Sequence, residues 1–299
     1  MSLGPAYLGY PLRRRGYDHD LYGWSAQHQR PPVRWPGGRP LAAFCVIKSE
    51  FFPLTPADRP FRAPGHMQTA FPDYRHYTAR DYGNRIGIFR LLDAFAARDL
   101  KATVAMNVAV AERYPALLAA VMEAGHEILA HGTDMNGTID GSLPAEEEEA
   151  LIADTRARWQ ALGHRPAGFH AIARSQSFRT PDLLRRHGFR YTTDWANDDQ
   201  PWRFANGLLN LPLNHELSDR QILNLCQASA DSYAQQIADA ADCLAAEGGR
   251  ILALELTPYI IGLPYRIGAF EALLDRLMPT CWFASASAIL DAWEPQAPA

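Results

Sequence analysis

From residue 41 onward, short apolar runs alternate with segments of helical periodicity, and this constrains the fold more than any other feature. The apolar runs are 41–47 (LAAFCVI), 102–106 (ATVAM), 127–130 (EILA), 167–171 (AGFHA), 189–193 (FRYTT), 208–211 (LLNL), 250–256 (RILALEL) and 281–284 (CWFA). They are short, lack strict polar alternation and are bounded by turn residues, as expected of parallel strands covered on both faces. Apolar spacing predicts helices over 84–98, 115–124, 143–162, 231–247, 266–278 and 286–293, and another from Thr180-Pro181 to Gly188. This many strand–helix units within 299 residues predict an α/β fold, a deformed (β/α)7–8 barrel, rather than an open doubly wound sheet. No G-x-G-x-x-G follows the first strand, which counts against a dinucleotide-binding sheet. Residues 1–40, punctuated by Pro31, Pro32, Pro36 and Pro40, read as an extended arm that Trp24 and Trp35 could pin to a single barrel over 41–299. The long segment 51–82, rich in Pro, His and Tyr, reads as an ordered lid.

Composition narrows the function classes. A chain that is 47% hydrophobic and 21% charged can bury a core without staples. With a net charge of −4 and no basic patch, a nucleic-acid partner is not expected. No stretch reaches the roughly 20 apolar residues needed to span a bilayer. The first residues lack the apolar core of an export signal. Cys45, Cys226, Cys243 and Cys281 show no C-x-x-C spacing and read as buried thiols in a reducing cytoplasm. The run Glu146–Glu149 reads as a solvated helix start.

In a parallel barrel the active site gathers in the loops after the strands. Polar residues there include Lys48 and Glu50 after the first strand, and Asn107 after the second. His131, Asp134 and Asn136 follow the third; His170, Arg174 and Ser177 lie at the fourth; Trp195, Asn197, Asp198 and Asp199 follow the fifth. His215 and Glu216 follow the sixth, and Thr257 the seventh. Bland readings stand beside these. Arg174 could form a structural ion pair with Asp194 or Asp198, Asp198-Asp199 could be turn chemistry, and His170 could be a core histidine.

These residues fall in G-Y-D-H-D (16–20), R-D-Y-G-N-R-I-G-I-F-R (80–90), G-H-E-I-L-A-H-G (125–132), A-R-S-Q-S-F-R-T-P-D-L-L (173–184), D-W-A-N-D-D-Q-P (194–201), H-E-L-S-D-R (215–220) and P-Y-I-I-G-L-P-Y-R (258–266). Through them the chain resembles the polysaccharide-deacetylase superfamily, over about residues 16 to 293, and most nearly its branch of metal-independent allantoinases and cyclic-imide hydrolases. The resemblance implies a deacetylase-type barrel and hydrolysis of a non-peptide C–N bond. Metal-using members carry an Asp-Asp pair after the first strand, an H-x-x-x-H pair after the third and a further His after the seventh. Here Lys48-Ser49-Glu50 replaces the acids, Met135 stands four residues after His131, and Thr257 replaces the late histidine. No cofactor is therefore expected; zinc on Glu50, His131 and Asp134 or Asn136 is the alternative left open.

The expected substrate is a small cyclic imide or ureide, whose nitrogen leaves as a stabilised anion and needs less Lewis-acid help than an acetamido sugar. Glu50 or His131 is expected to be the base for water. Arg174, backbone N–H groups of 172–177 and Ser177 are expected to stabilise the oxyanion, and Asp198 to orient His131 or accept a ring N–H. Lys48, Asn107, Asp134, His170, Ser177, Trp195, Asn197, Glu216 and Thr257 are candidate substrate contacts. The competing readings are a metal-dependent saccharide N- or O-deacetylase and a non-catalytic binding barrel. A homo-oligomer is left open.

Overall fold

The computed structural model describes residues 19–55 and 72–297. A nine-stranded sheet organises them, with strand order β6-β7-β5-β4-β3-β2-β1-β8 and β9 set against β1. The strands are β1 (Leu41–Ser49), β2 (Thr103–Met106), β3 (Glu127–Ala130), β4 (Gly168–Phe169), β5 (Tyr191–Thr192), β6 (Trp202–Arg203), β7 (Leu209–Asn210), β8 (Arg250–Leu256) and β9 (Cys281–Phe283). Each apolar run read from the sequence coincides with one of them, β1 running two residues further, to Ser49. Only β6 was not expected, a two-residue strand antiparallel to β7. All other pairings are parallel. Among the described residues no ladder joins β8 to β7. The segment after β5 fills the gap: Ile251 N–H donates to the Asp199 carbonyl at 2.9 Å, and Gln200 Nε2 donates to the Gly249 carbonyl at 3.0 Å. The sheet is thus a curled, incompletely paired barrel, as the sequence predicted.

Side-chain alternation along the strands places the site. Leu41, Ala43, Cys45 and Ile47 of β1 pack with Leu252, Leu254 and Leu256 of β8 into the large core that also takes Phe95, Trp159 and Phe270 from the helices. The intervening residues, Ala42, Phe44, Val46, Ala105, Leu129, Tyr191, Ile251 and Ala253, form a separate core inside the barrel. Extending those inward columns to the carboxyl ends of the strands reaches Lys48, Asn107, His131, Thr193, Glu255 and Thr257. The opposite end is closed by Thr103 Oγ1, which accepts Ala286 N–H at 2.9 Å, and by Glu127, which accepts from Tyr191 Oη at 2.8 Å and from Ser287. The interior is a packed plug with one polar end.

Several expectations need correction. The lid expected over 51–82 is partly helix, Tyr74–Tyr82; residues 56–71 and most of the 16–20 motif lie outside the described residues. A π turn, Gly83–Gly87, joins that helix to Ile88–Ala96 and rotates the second helix relative to the first, so Ile86 and Phe89 are exposed instead of facing the core. The turn presses against the loop after β8: a Cβ on Gly87 would lie 2.1 Å from the Pro258 carbonyl oxygen. The acidic run is not all solvated. Glu148 is fully buried and accepts hydrogen bonds from Ser177, Arg179 and Thr180. Cys45 and Cys281 are buried, but Cys226 and Cys243 are exposed. In the arm, Trp35 is buried with its indole N–H on the Arg250 carbonyl at 2.9 Å, whereas Trp24 is 77% exposed. No helix among the described residues is long and apolar enough to cross a membrane.

Candidate active site

Glu50 stands at the centre, one residue past β1 and almost fully buried. Arg220 Nη2 donates to both of its carboxylate oxygens, at 2.9 and 3.1 Å, and to Tyr259 Oη at 2.7 Å. Lys48 Nζ lies 3.6 Å from Glu50 and forms an ion pair with Glu255. Residue 255 is the register partner of Val46, two residues before Lys48 on the same face, so the strand pairing itself brings this ammonium and carboxylate together. Burial alone would raise the Glu50 carboxyl, but Arg220, Lys48 and His131 outweigh it and hold the group well below the usual carboxylate range. Glu255 is likewise held down, mainly by Lys48 acting against burial.

The histidines are held through their Nδ1 atoms. His131 Nδ1–H donates to the His170 carbonyl at 2.7 Å, which leaves the lone pair of the neutral ring on Nε2. That Nε2 is buried, has no hydrogen-bond partner among the described residues and lies 3.8 Å from Glu50 Oε1. The His170 ring stacks on it with centroids 4.9 Å apart. Burial keeps His170 below the usual imidazole range, against the pull of Asp194. His170 Nδ1 lies 3.1 Å from Asp194 Oδ1 and 2.8 Å from Thr193 Oγ1. Asp194 also accepts from Thr192, Gln176 and the Ala171 N–H, which together with His170 hold it ionised despite burial.

Supporting residues fix the backbone. Asn107 Oδ1 accepts the Phe51 N–H at 2.7 Å and its amide donates to the His131 carbonyl, tying the ends of β1, β2 and β3 together. Asn84, in the π turn, donates to the Glu50 carbonyl at 2.7 Å and accepts from Ser49 Oγ at 2.9 Å. Asp219, beside Arg220, is fully buried and accepts the Thr257 N–H at 2.6 Å. Burial pushes its carboxyl up to about 7.

The sequence-derived residues divide sharply. Lys48, Glu50, Asn107, His131, His170 and Thr257 come together at the polar end of the barrel. Arg174 has Nη1 on the Leu213 carbonyl at 3.0 Å; among the described residues it pairs with neither Asp194 nor Asp198. It sits at φ 53°, following Ala173 at φ 55°. Ser177 is not an oxyanion donor, because its hydroxyl is committed to buried Glu148 at 2.7 and 2.9 Å. The N–H groups of Arg174, Ser175 and Ser177 are also occupied, by Ala171, Ile172 and Thr180. Asp198 does not reach His131: Arg30 of the arm takes it at 2.5 Å, and it caps Gln200 N–H at 3.1 Å. Asn197 accepts from Trp202 Nε1 at 3.1 Å, and Trp195 donates to Gln176 at 2.9 Å within an aromatic group with Tyr22, Trp202 and Phe204. Glu216 is exposed, and Asp134 is half-buried with Oδ1 accepting the Asn136 N–H at 2.8 Å. Sequence reasoning passed over Arg220, Glu255 and Tyr259. Glu255 carried a usable signal, a lone carboxylate inside the apolar run RILALEL.

The side chains do not fit a divalent cation. An ammonium and a guanidinium already occupy the approaches to Glu50, and buried Met135 fills the position of the second histidine. Among the described residues no group of three or more His, Cys, Asp or Glu could hold a metal ion.

The polysaccharide deacetylase family profile matches residues 77–192. A peptidoglycan deacetylase of Helicobacter pylori is 29% identical over 118 residues, which span 40% of this chain and 40% of that protein. Among solved structures, PuuE allantoinase superposes with a TM-score of 0.78 at 23% identity, covering 95% of this chain and 100% of that one. A probable polysaccharide deacetylase from Pseudomonas aeruginosa PAO1 superposes with the same score, 0.78, at 24% identity and the same coverage, 95% and 100%. Residues 77–192 thus resemble the polysaccharide deacetylase family, and the chain shares the fold of these solved structures.

Proposed function

We propose that this protein is a hydrolase that opens a non-peptide C–N bond of a small cyclic imide or ureide without a catalytic metal. The observation that carries the proposal is the buried, unpartnered Nε2 of His131, held in the base-competent tautomer beside a carboxylate that two cations keep ionised. A carboxylate held this low is a weak proton acceptor, so His131 is the base and Glu50 steadies the imidazolium that forms.

The chemistry balances with these groups. His131 Nε2 takes a proton from water as the water oxygen bonds to the ring carbonyl. Lys48, paired with Glu255 and 3.6 Å from Glu50, is the cation assigned to the resulting oxyanion. The C–N bond then breaks, the electron pair leaves on nitrogen, and His131 returns its proton to that nitrogen. The product is a carboxylic acid with an open-chain amide or urea. An imide or ureide nitrogen is a good leaving group because a second carbonyl shares its charge. The same site without a Lewis acid is poorly suited to an acetamido sugar.

The test is hydrolysis of succinimide, glutarimide, hydantoin and allantoin by the purified protein and by His131→Gln and Glu50→Gln. The expected result is ring opening of at least one of them, with kcat lower by about 10²- to 10⁴-fold for His131→Gln. Ring opening that survives His131→Gln at the full rate overturns the assignment. Deacetylation of N-acetylglucosamine oligomers with all four rings inert supports the saccharide reading instead.

A further inference from the structure

Arg80 lies on the helix Tyr74–Tyr82, at the rim of the site, close enough to feel the charge of Glu50 but in no ion pair with it. It lines a small cavity with Glu50, Phe51, Phe52, Tyr77, Asp81, Asn84 and Tyr114. Its guanidinium lies over the Phe52 ring, 4.0 Å from the centroid. Its Nε is buried with no hydrogen-bond partner, and among the described residues the side chain makes no ion pair. The neighbouring Asp81 is directed to Arg85 instead, at 3.5 Å. The other cations of the site are engaged: Arg220 with Glu50 and Tyr259, Lys48 with Glu255, and Arg174 with the Leu213 carbonyl.

A partly buried guanidinium carries donors in a planar fork and no acceptor. Leaving such a group without a partner costs free energy, and a carboxylate offers the bidentate geometry that satisfies it. The Phe52 ring fixes the plane of the fork before anything binds, so little side-chain freedom is lost on binding. Because Glu50 and Asp81 both line the same cavity, a group of a single negative charge is favoured over a dianion.

We propose that Arg80 binds a carboxylate carried by the substrate, so that the ring opened at this site bears an anionic substituent. This rests on the hydrolytic reading of the site. Arg80 is then a specificity residue: it anchors one end of the molecule while His131 and Glu50 act on the ring.

The experiment compares hydantoin with hydantoin-5-acetate, in steady-state turnover and in calorimetric binding, for the wild type, Arg80→Gln and Arg80→Lys. The expected result is that the wild type prefers the acid. Arg80→Gln raises KM and Kd for the acid by about 10- to 100-fold, leaves kcat and the hydantoin parameters unchanged, and Arg80→Lys recovers part of the loss. A purely structural role for the Phe52–Arg80 contact would lower both substrates together. Acid binding no tighter than hydantoin, or an equal loss for both in Arg80→Gln, overturns the proposal. If the wild type turns over neither ring yet binds the acid through Arg80, the hydrolase reading fails and the carboxylate site stands.

Discussion

The ion pair between Lys48 and Glu255 is the feature whose removal is easiest to quantify. Both side chains are 3% exposed. Replacing Glu255 by Gln keeps the volume but leaves the ammonium of Lys48 buried with only Glu50, 3.6 Å away and already held by Arg220. Breaking one side of a buried pair costs about 3–5 kcal/mol. The remaining contact with Glu50 puts Glu255→Gln at the lower end, about 3 kcal/mol. For a chain of 299 residues, with an unfolding entropy of about 2.1 cal/mol/K per residue, that corresponds to a fall in Tm of about 5 °C. Thermal and urea denaturation at pH 7 measure it. The double variant Lys48→Met/Glu255→Leu removes both charges and should be more stable than Glu255→Gln, because no uncompensated charge remains. The pH dependence has a definite sign. Glu255 is held below its ordinary value when folded, so its contribution is complete above the unfolded value of about 4.3 and is lost as pH falls toward the folded one. The difference between wild type and Glu255→Gln therefore narrows on acidification. A variant that melts within about 1 °C of the wild type at pH 7 would refute the reasoning, since a shift that small corresponds to well under 1 kcal/mol.

Other substitutions separate scaffold from chemistry. Ser177→Ala loses the hydroxyl's bonds to buried Glu148 and should lower stability by about 1.5–3 kcal/mol in urea denaturation, while kcat/KM changes less than about twofold. Gly87→Ala drives a methyl against the Pro258 carbonyl and should cost about 1–3 kcal/mol or more, read as a lower urea midpoint. Asp219 has the opposite sign to Glu255: with its carboxyl pushed up to about 7, the folded protein keeps a proton that the unfolded chain loses near 3.9, so stability falls as pH rises between those values. Asp219→Asn removes that slope, and its stability relative to wild type should rise from pH 4 to pH 7 in a melting series.

Much of the scaffold was legible because parallel strands buried on both faces write themselves as apolar runs. The inner and outer columns of β1 and β8 differ by one residue, so Lys48 and Glu255 were marked by charge in the wrong place for a strand. His131, Glu50 and Asn107 were legible by position, at the carboxyl ends of inward-facing columns. The residues misjudged, Asp198 and Ser177, lie on loops, where chain position does not fix direction. Asp198 is drawn off by Arg30, 168 residues away in sequence, and Ser177 by Glu148 inside a run that looked solvated. Arg220 was hidden for the converse reason. It sits on a π-helical segment, Arg220–Leu225, whose place over Glu50 depends on long-range packing with no local periodicity.

The central claim is that His131 and Glu50, with Lys48 and Arg220 as fixed cations, form a hydrolytic site that needs no metal. The most direct test is elemental analysis of the purified protein, combined with imide and ureide hydrolysis before and after exhaustive chelation. The account predicts substoichiometric metal and a rate that chelation leaves unchanged but His131→Gln removes. A stoichiometric divalent ion whose removal abolishes turnover, and whose return restores it, would contradict the account.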